Sequence, residues 1–451
     1  MSRFTESSDL AYDVSKLQEN EFIESQLVEV NPVTHPTASA TSFQINYDND
    51  MLASGYMVDV KNSYLQIEFN VHALSDSTYA NTAPTTAGEM VFAECPAVSW
   101  MTNWRLAING QQVDDVSQYP GEVLRCKSMF KSRDWLDTYG VLYGMLLNRQ
   151  AEVNDAYTDY ATLCENLTVA GRLVKFNLPL SELTEFFNWT PSQNGLFPLR
   201  SIQFSGTRQS SDASWMNLRL GTATAPTFVT LTSASVDSFR VRLQLNFVRP
   251  SIQDFAIMKS RMKKPWDVVY PRYQVNTKAL GESTTAVELR IPVRSALTRY
   301  VTTSCTAHPH ADDDVDNPYT RRLMYVGSVR ANKAGVEKPY PQQMFSSTYV
   351  KQAEVDYTEI YKEYLRLFGA NNKAIQPAVK YEEFIWCPII PIKLDNKLVG
   401  TGIELNDSND EIYTEITPAT CTGDGTIYFT DEFASKVTVH PDGTISDKFN
   451  V

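Results

Sequence analysis

The sequence predicts an all-β fold of two consecutive β-sandwiches with short helical insertions. Three observations carry this expectation. At 451 residues the chain is too long for one sandwich and suits two. Short runs with an apolar residue at every second position recur along it, which is the period of a half-buried strand. Its helical segments fall within connections and do not alternate with strands, which argues against a parallel sheet with crossover helices.

Residues 1–50 are expected to form an N-terminal arm, because the stretch 33–42 is rich in Thr, Ser, Ala and Pro and cannot bury a core alone. The first sandwich is expected over residues 51–250. Near its start Leu65, Ile67, Phe69 and Val71 alternate with Gln66, Glu68 and Asn70. Between residues 104 and 113, Asn109-Gly110 separates two short strand segments and predicts a hairpin turn. Residues 173–178 form another strand candidate. The cleanest alternation places Phe239, Val241, Leu243, Leu245 and Phe247 on one face, with Arg240, Arg242, Gln244 and Asn246 on the other. Such a strand has one side in a core and the other in water or at an interface.

Residues 251–270 read as a linker. Ser251 with Asp254 three positions later predicts a short helix to Lys264, and Pro265 and Pro271 follow. The second sandwich is expected over residues 271–451, restarting with Val287, Leu289, Ile291 and Val293 around Glu288 and Arg290. Further strands are expected at 322–329, 384–394, 426–429 and 436–440, the last leading into a Pro441-Asp442-Gly443 turn. One stronger helix interrupts them. Asp356 caps it, Glu359 closes a capping box, and Ile360, Tyr361, Tyr364, Leu365 and Phe368 form its apolar stripe before Gly369 ends it. Many short strands with long connections make jelly rolls the leading type of sandwich.

Composition narrows the function classes. Hydrophobic residues are 43% of the chain, with 23 Tyr and 21 Phe, enough for substantial cores. No apolar stretch is long enough for a transmembrane helix. The segment from Met1 to Asp13 has no apolar run, which argues against a secretory signal. Cys95, Cys126, Cys164, Cys305, Cys387 and Cys421 lie far apart and read as buried thiols of a reducing compartment. The sequons at Asn166, Asn188 and Asn406 then read as chance matches. Net charge is −13, and the first forty residues hold only Arg3 and Lys16 against seven carboxylates. A basic arm that neutralises nucleic acid is therefore not expected at this end.

Motifs for phosphate binding, dinucleotide binding, serine hydrolysis and zinc proteolysis are not found. Cys305, His308 and His310, ahead of Asp312, Asp313, Asp314 and Asp316, combine metal-ligating groups, but their spacing fits no standard site and a solvated loop is expected. Lys259, Arg261, Lys263 and Lys264 form a basic cluster, read as a solvated helix face or as a contact for an acidic neighbouring subunit. Glu382-Glu383 and Asp407-Asp410 offer paired carboxylates, for which a glycosidase role has no other support. Trp100, Trp104, Trp135, Trp189, Trp215, Trp266 and Trp386 are expected as core or interface anchors, against the rival reading of a sugar platform. No catalytic, cofactor or metal residue is assigned, and no small-molecule substrate is expected.

The order of features resembles a known family. Trp100-x-x-x-Trp104-Arg105-Leu106-x-Ile108-Asn109-Gly110 is followed by Tyr119 and a helical segment to Met129, and the half closes with Phe239–Phe247 and Val248-Arg249-Pro250-Ser251. The second half has Asn317-Pro318-Tyr319, then Tyr357-x-x-x-Tyr361-x-x-Tyr364-Leu365-x-Leu367-Phe368, then Tyr381-x-x-Phe384 leading to Pro391-Ile392. From about residue 50 onward this resembles the double jelly-roll major capsid proteins of virophages, polinton-like viruses and adintoviruses. The resemblance implies homotrimers whose six sandwiches make a pseudo-hexameric capsomer of an icosahedral DNA virus, located in the virion. It implies as partners other copies of the chain, penton and minor capsid proteins, with contact to an internal membrane or the genome left open. Three alternatives remain at this stage: a carbohydrate-binding β-sandwich attachment protein, an enzyme such as a glycosidase on a β-sandwich scaffold, which ranks last, and a minor capsid or scaffold paralogue of the same fold.

Overall fold

The computed structural model describes residues 22–48, 54–72, 90–149, 173–189, 196–222, 225–229, 235–251, 264–280, 287–292, 298–307, 326–333, 336–337, 358–371, 376–384, 389–393, 411–418, 425–440 and 444–447. Within them the chain builds the same antiparallel architecture twice. In the first half one sheet runs Phe22–Val30, Ser235–Pro250, Tyr64–His72, Leu173–Pro179, and the facing sheet runs Ser42–Asp48, Ser201–Arg208, Met101–Ile108, Gln111–Val116. In the second half the corresponding sheets run Trp266–Leu280, Gly425–Val439, Thr298–Ala307, Ile390–Lys393 and Val287–Pro292, Glu411–Pro418, Val326–Lys333, Val336–Glu337. Counting these eight strands in chain order, both halves give 1-8-3-6 in one sheet and 2-7-4-5 in the other. That pairing is a jelly roll of two Greek keys, so the fold is a double jelly roll.

Burial explains why the strands form. Leu65, Ile67 and Phe69 are buried in strand Tyr64–His72, as are Phe239, Val241, Leu243, Leu245 and Phe247 in Ser235–Pro250. Rings from both sheets meet in the first core: Trp100 lies 4.7 Å from Phe239 and 5.5 Å from Phe43, and Tyr47 lies 5.6 Å from Phe247. The outward face of Ser235–Pro250 is not simply wet, because Gln244 is buried and its Nε2 donates to Glu29 at 2.9 Å. At the Asn109-Gly110 turn both residues have positive φ, 50° and 84°, as a two-residue hairpin requires.

Strand pairing corrects the expected boundaries. Phe22–Val30 and Ser42–Asp48 are the first two strands of the first jelly roll, so residues 22–48 are not an arm. The expected linker 251–270 loses its end, because Trp266–Leu280 is a single strand paired with Gly425–Val439 along its whole length. Pro271 is tolerated there because that strand lies at the sheet edge, where one side of its ladder needs no N–H. The two strands expected at 426–429 and 436–440 are one, Gly425–Val439. Phe384 ends a short helix, Tyr381–Phe384, and the strand begins only at Ile390.

The longer helix is Thr358–Asn371 and continues through Gly369, since packing of buried Tyr364 and Phe368 fixes its last turns against the propensity of a glycine. Leu365 is exposed there and is no part of the packed stripe. The linker helix expected from Ser251 to Lys264, the turn 441–443, the caps Asp356 and Tyr357, and Asn317-Pro318-Tyr319 lie outside the described residues apart from Ser251 and Lys264 themselves.

Candidate functional site

The two jelly rolls meet along a seam with its own chemistry, and three clusters hold it. In the first, Ser132 to Arg133 on one side meets Gln376 to Pro377 on the other. A β-bridge joins Ser132 and Pro377, and the Arg133 N–H donates to Gln376 O at 3.1 Å. Arg133 Nη1 then donates to both carboxylate oxygens of Glu383, at 2.8 and 2.7 Å. The first turn of Tyr381–Phe384 adds the Lys380 N–H, which donates to Glu383 Oε2 at 2.9 Å. Beside this pair the Tyr364 hydroxyl donates to Met129 O at 2.7 Å, its ring 5.9 Å from Phe130 and 5.5 Å from Phe384.

The second cluster joins strand Gln111–Val116 to strand Trp266–Leu280. Arg272 donates from Nε to Asp114 Oδ1 at 3.3 Å and also binds Asp115, while the Tyr270 hydroxyl donates to Val113 O. Asp114 also accepts the Thr184 hydroxyl at 2.6 Å. Burial pushes its pKa up to about 6, against the pull of Arg272 and the Thr184 hydrogen bond. The Tyr270 ring stands edge-on to Phe186 at 5.3 Å, so the polar contacts sit beside an apolar one.

The third cluster is centred on Lys127 of helix Pro120–Met129. Its Nζ lies 2.8 Å from Glu185, donates to Glu182 O at 2.6 Å, and stands 6.0 Å from the centre of the Tyr273 ring. Burial opposes ionisation of Glu185, yet the adjacent Lys127 outweighs it and the carboxyl lies below its ordinary range. Tyr273 donates to Glu432 at 3.3 Å, and burial followed by the charges of Glu432 and Glu185 pushes its phenol well up. Tyr119 and Tyr428 close the same edge, ring to ring at 5.2 Å. Buried apolar residues of the two halves, from Phe186 to Tyr270 and from Met129 to Tyr364, form one continuous cluster through this seam.

These contacts give the candidate residues their places. Glu383, considered as a catalytic carboxylate, is bound by Arg133 and Lys380. Its neighbour Glu382 is exposed, and the other pair, Asp407 and Asp410, lies outside the described residues. Trp100, Trp104 and Trp215 are buried in the first core, and Trp135 is half-buried under Lys131 at 4.7 Å. Cys95 and Cys126 are both buried in the first core. Asn188 bonds to Ser181 O and, at 3.1 Å, to Glu185.

Cys305 falls in strand Thr298–Ala307, whereas His308, His310 and the Asp run lie outside the described residues. So do Lys259, Arg261 and Lys263, while Lys264 is exposed. Among the described residues no group of three or more His, Cys, Asp or Glu is placed to hold a metal ion, and no helix is long and apolar enough to cross a membrane. The seam residues Arg133, Asp114 and Arg272 were not singled out from sequence, because their partners lie up to 250 positions away, whereas Tyr364 was read there as part of the helix's apolar stripe.

Comparison with known proteins agrees with this architecture. No protein-family model matches the sequence. No curated protein matches it significantly. Solved structures do match. A chain from the Sputnik virophage is 11% identical with a TM-score of 0.59, over 96% of this chain and 90% of that one. The mavirus major capsid protein is 10% identical with a TM-score of 0.52, over 97% of this chain and 93% of its own. The Faustovirus major capsid protein is 10% identical with a TM-score of 0.51, over 94% and 91%. At these identities the likeness is one of fold.

Proposed function

We propose that this chain is a major capsid protein, the structural subunit of an icosahedral DNA virus shell. The observation that carries the reading is the tandem repetition of one strand order, 1-8-3-6 over 2-7-4-5, in two jelly rolls locked together by a buried seam. Such a unit is a rigid two-tower block. Three copies around a closed axis present six similar sandwiches, and so approximate a hexagon. Similarity of fold to the mavirus and Faustovirus major capsid proteins over nearly the whole chain supports the same reading.

In this role the protein acts through surfaces. Its partners are other copies of itself, within the trimer and in neighbouring capsomers, and penton or minor capsid proteins at the shell's special positions; its place is the virion. We assign it no catalytic residue, cofactor or small-molecule substrate. The ionisable groups best defined within the seam, Asp114, Glu185 and Glu383, are each engaged by a cation of the chain itself, Arg272, Lys127 and Arg133. Electron microscopy of the purified protein tests the proposal: hexagonal particles of six towers, or closed shells, are expected. Two-tower particles that never associate and that bind a glycan array would replace it with the carbohydrate-binding reading.

A further inference from the structure

His35 occupies an unusual position in the first jelly roll. Pairing of strand Phe22–Val30 with Ser235–Pro250 ends at Val30 opposite Leu243. Two positions beyond, the Val241 N–H donates to Nδ1 of His35 at 3.2 Å, so an imidazole stands where the edge strand's next carbonyl would be. A backbone N–H can only donate, which fixes His35 Nδ1 as an unprotonated acceptor. The next residue is tied to the opposite sheet: Pro36 O accepts from Arg208 Nη1 at 3.2 Å, and Arg208 is held by Asp212 at 2.6 Å. The crossing between the first and second strands is thus fastened to both sheets at adjacent residues.

Charged groups reach His35 from each neighbouring strand. Arg240 and Arg242 come from Ser235–Pro250, Glu29 from Phe22–Val30 and Glu68 from Tyr64–His72. The two carboxylates are already engaged by Arg242, at 3.2 Å for Glu29 and 3.6 Å for Glu68. We propose that His35 is a proton-operated clasp: neutral, it fastens the first strand and its crossing to strand Ser235–Pro250, and on protonation it lets them go. Protonation places an N–H against the Val241 N–H and a third cation beside two arginines. Burial first, then Arg242 and Arg240, hold the imidazole pKa below its ordinary 6.5, against weaker pulls from Glu29 and Glu68. A folded-state pKa below the unfolded one means the clasp contributes fully above 6.5 and is lost as pH falls through the lower folded value.

The test uses the full chain. Hydrogen exchange at the Val241 amide, corrected for intrinsic rates, is followed from about pH 7.5 to about pH 5.5 in wild type and in His35→Gln, whose side-chain oxygen accepts without titrating. Wild type is expected to lose about tenfold in protection on acidification, the equivalent of one hydrogen bond, and the variant to show no such loss. Equal responses in the two proteins overturn the proposal. Nitrogen NMR of histidine-labelled wild type decides independently of any variant. A bare Nδ1 at neutral pH that titrates below 6.5 is expected, and titration at or above that value overturns the clasp.

Discussion

Arg133 and Glu383, 250 positions apart, form a two-oxygen ion pair across the seam, with Nη1 2.8 and 2.7 Å from the carboxylate oxygens. The Glu383 side chain is 8% exposed, so losing the cation leaves a nearly dry carboxylate with one backbone donor. Arg133→Ala should therefore destabilise the protein by about 2 kcal/mol, the cost of an unsatisfied charged group. Glu383→Gln should cost less, because the amide oxygen still accepts the Lys380 N–H. Calorimetric unfolding of both variants checks the order; an Arg133→Ala protein as stable as wild type would make the pair ornamental.

Leu243 is fully buried and sits between Val30 and Leu65 in the pairing register of the first jelly roll. Leu243→Asp should abolish soluble folding, since burying an unpaired carboxylate costs several kcal/mol, comparable with the stability of a domain. Soluble yield and circular dichroism report the outcome, and a native-like spectrum would contradict this placement.

Asp114 gives the seam a pH dependence of defined sign. Its folded pKa of about 6 lies above the ordinary carboxyl value of 3.8, so between those values the folded chain holds a proton that the unfolded chain has released. This group's contribution to stability is therefore greatest in acid and declines as pH rises toward 6. Relative to Asp114→Asn, wild type should gain about 1 kcal/mol on going from about pH 7 to about pH 5. Denaturant titrations at the two pH values measure the difference; a gain of the same size in the variant would assign the effect elsewhere.

Cys95 is fully buried, and burial first, then the charge of Glu94, pushes its thiol well above the ordinary range. In native protein it should resist iodoacetamide at mildly alkaline pH and react only on unfolding, as mass spectrometry of its peptide would record. Labelling at the rate of a free thiol would contradict the packing around residues 94–99.

What the sequence revealed and what it hid follow from how strands are buried. Tyr64–His72 and Ser235–Pro250 were legible because each buries one face, so apolar residues recur at every second position. Phe22–Val30 is an edge strand with Leu27 more than half exposed, and it carries no such alternation. Trp266–Leu280 was hidden by Pro271, which reads as a break until the edge position excuses it. The Asn109-Gly110 turn was plain because its backbone requirement is local. The seam was not legible, since Arg272 finds Asp114 across 158 positions and only the folded topology brings them together. A local hint did exist in Tyr270-Pro271-Arg272-Tyr273, a dense aromatic and guanidinium run beside a proline.

The mass of the purified protein in solution, by light scattering coupled to size exclusion, bears most directly on whether these twin jelly rolls are built to assemble. A stable species of three chains, each 50.9 kDa, is the expected result. A single chain of 50.9 kDa at every concentration would contradict it.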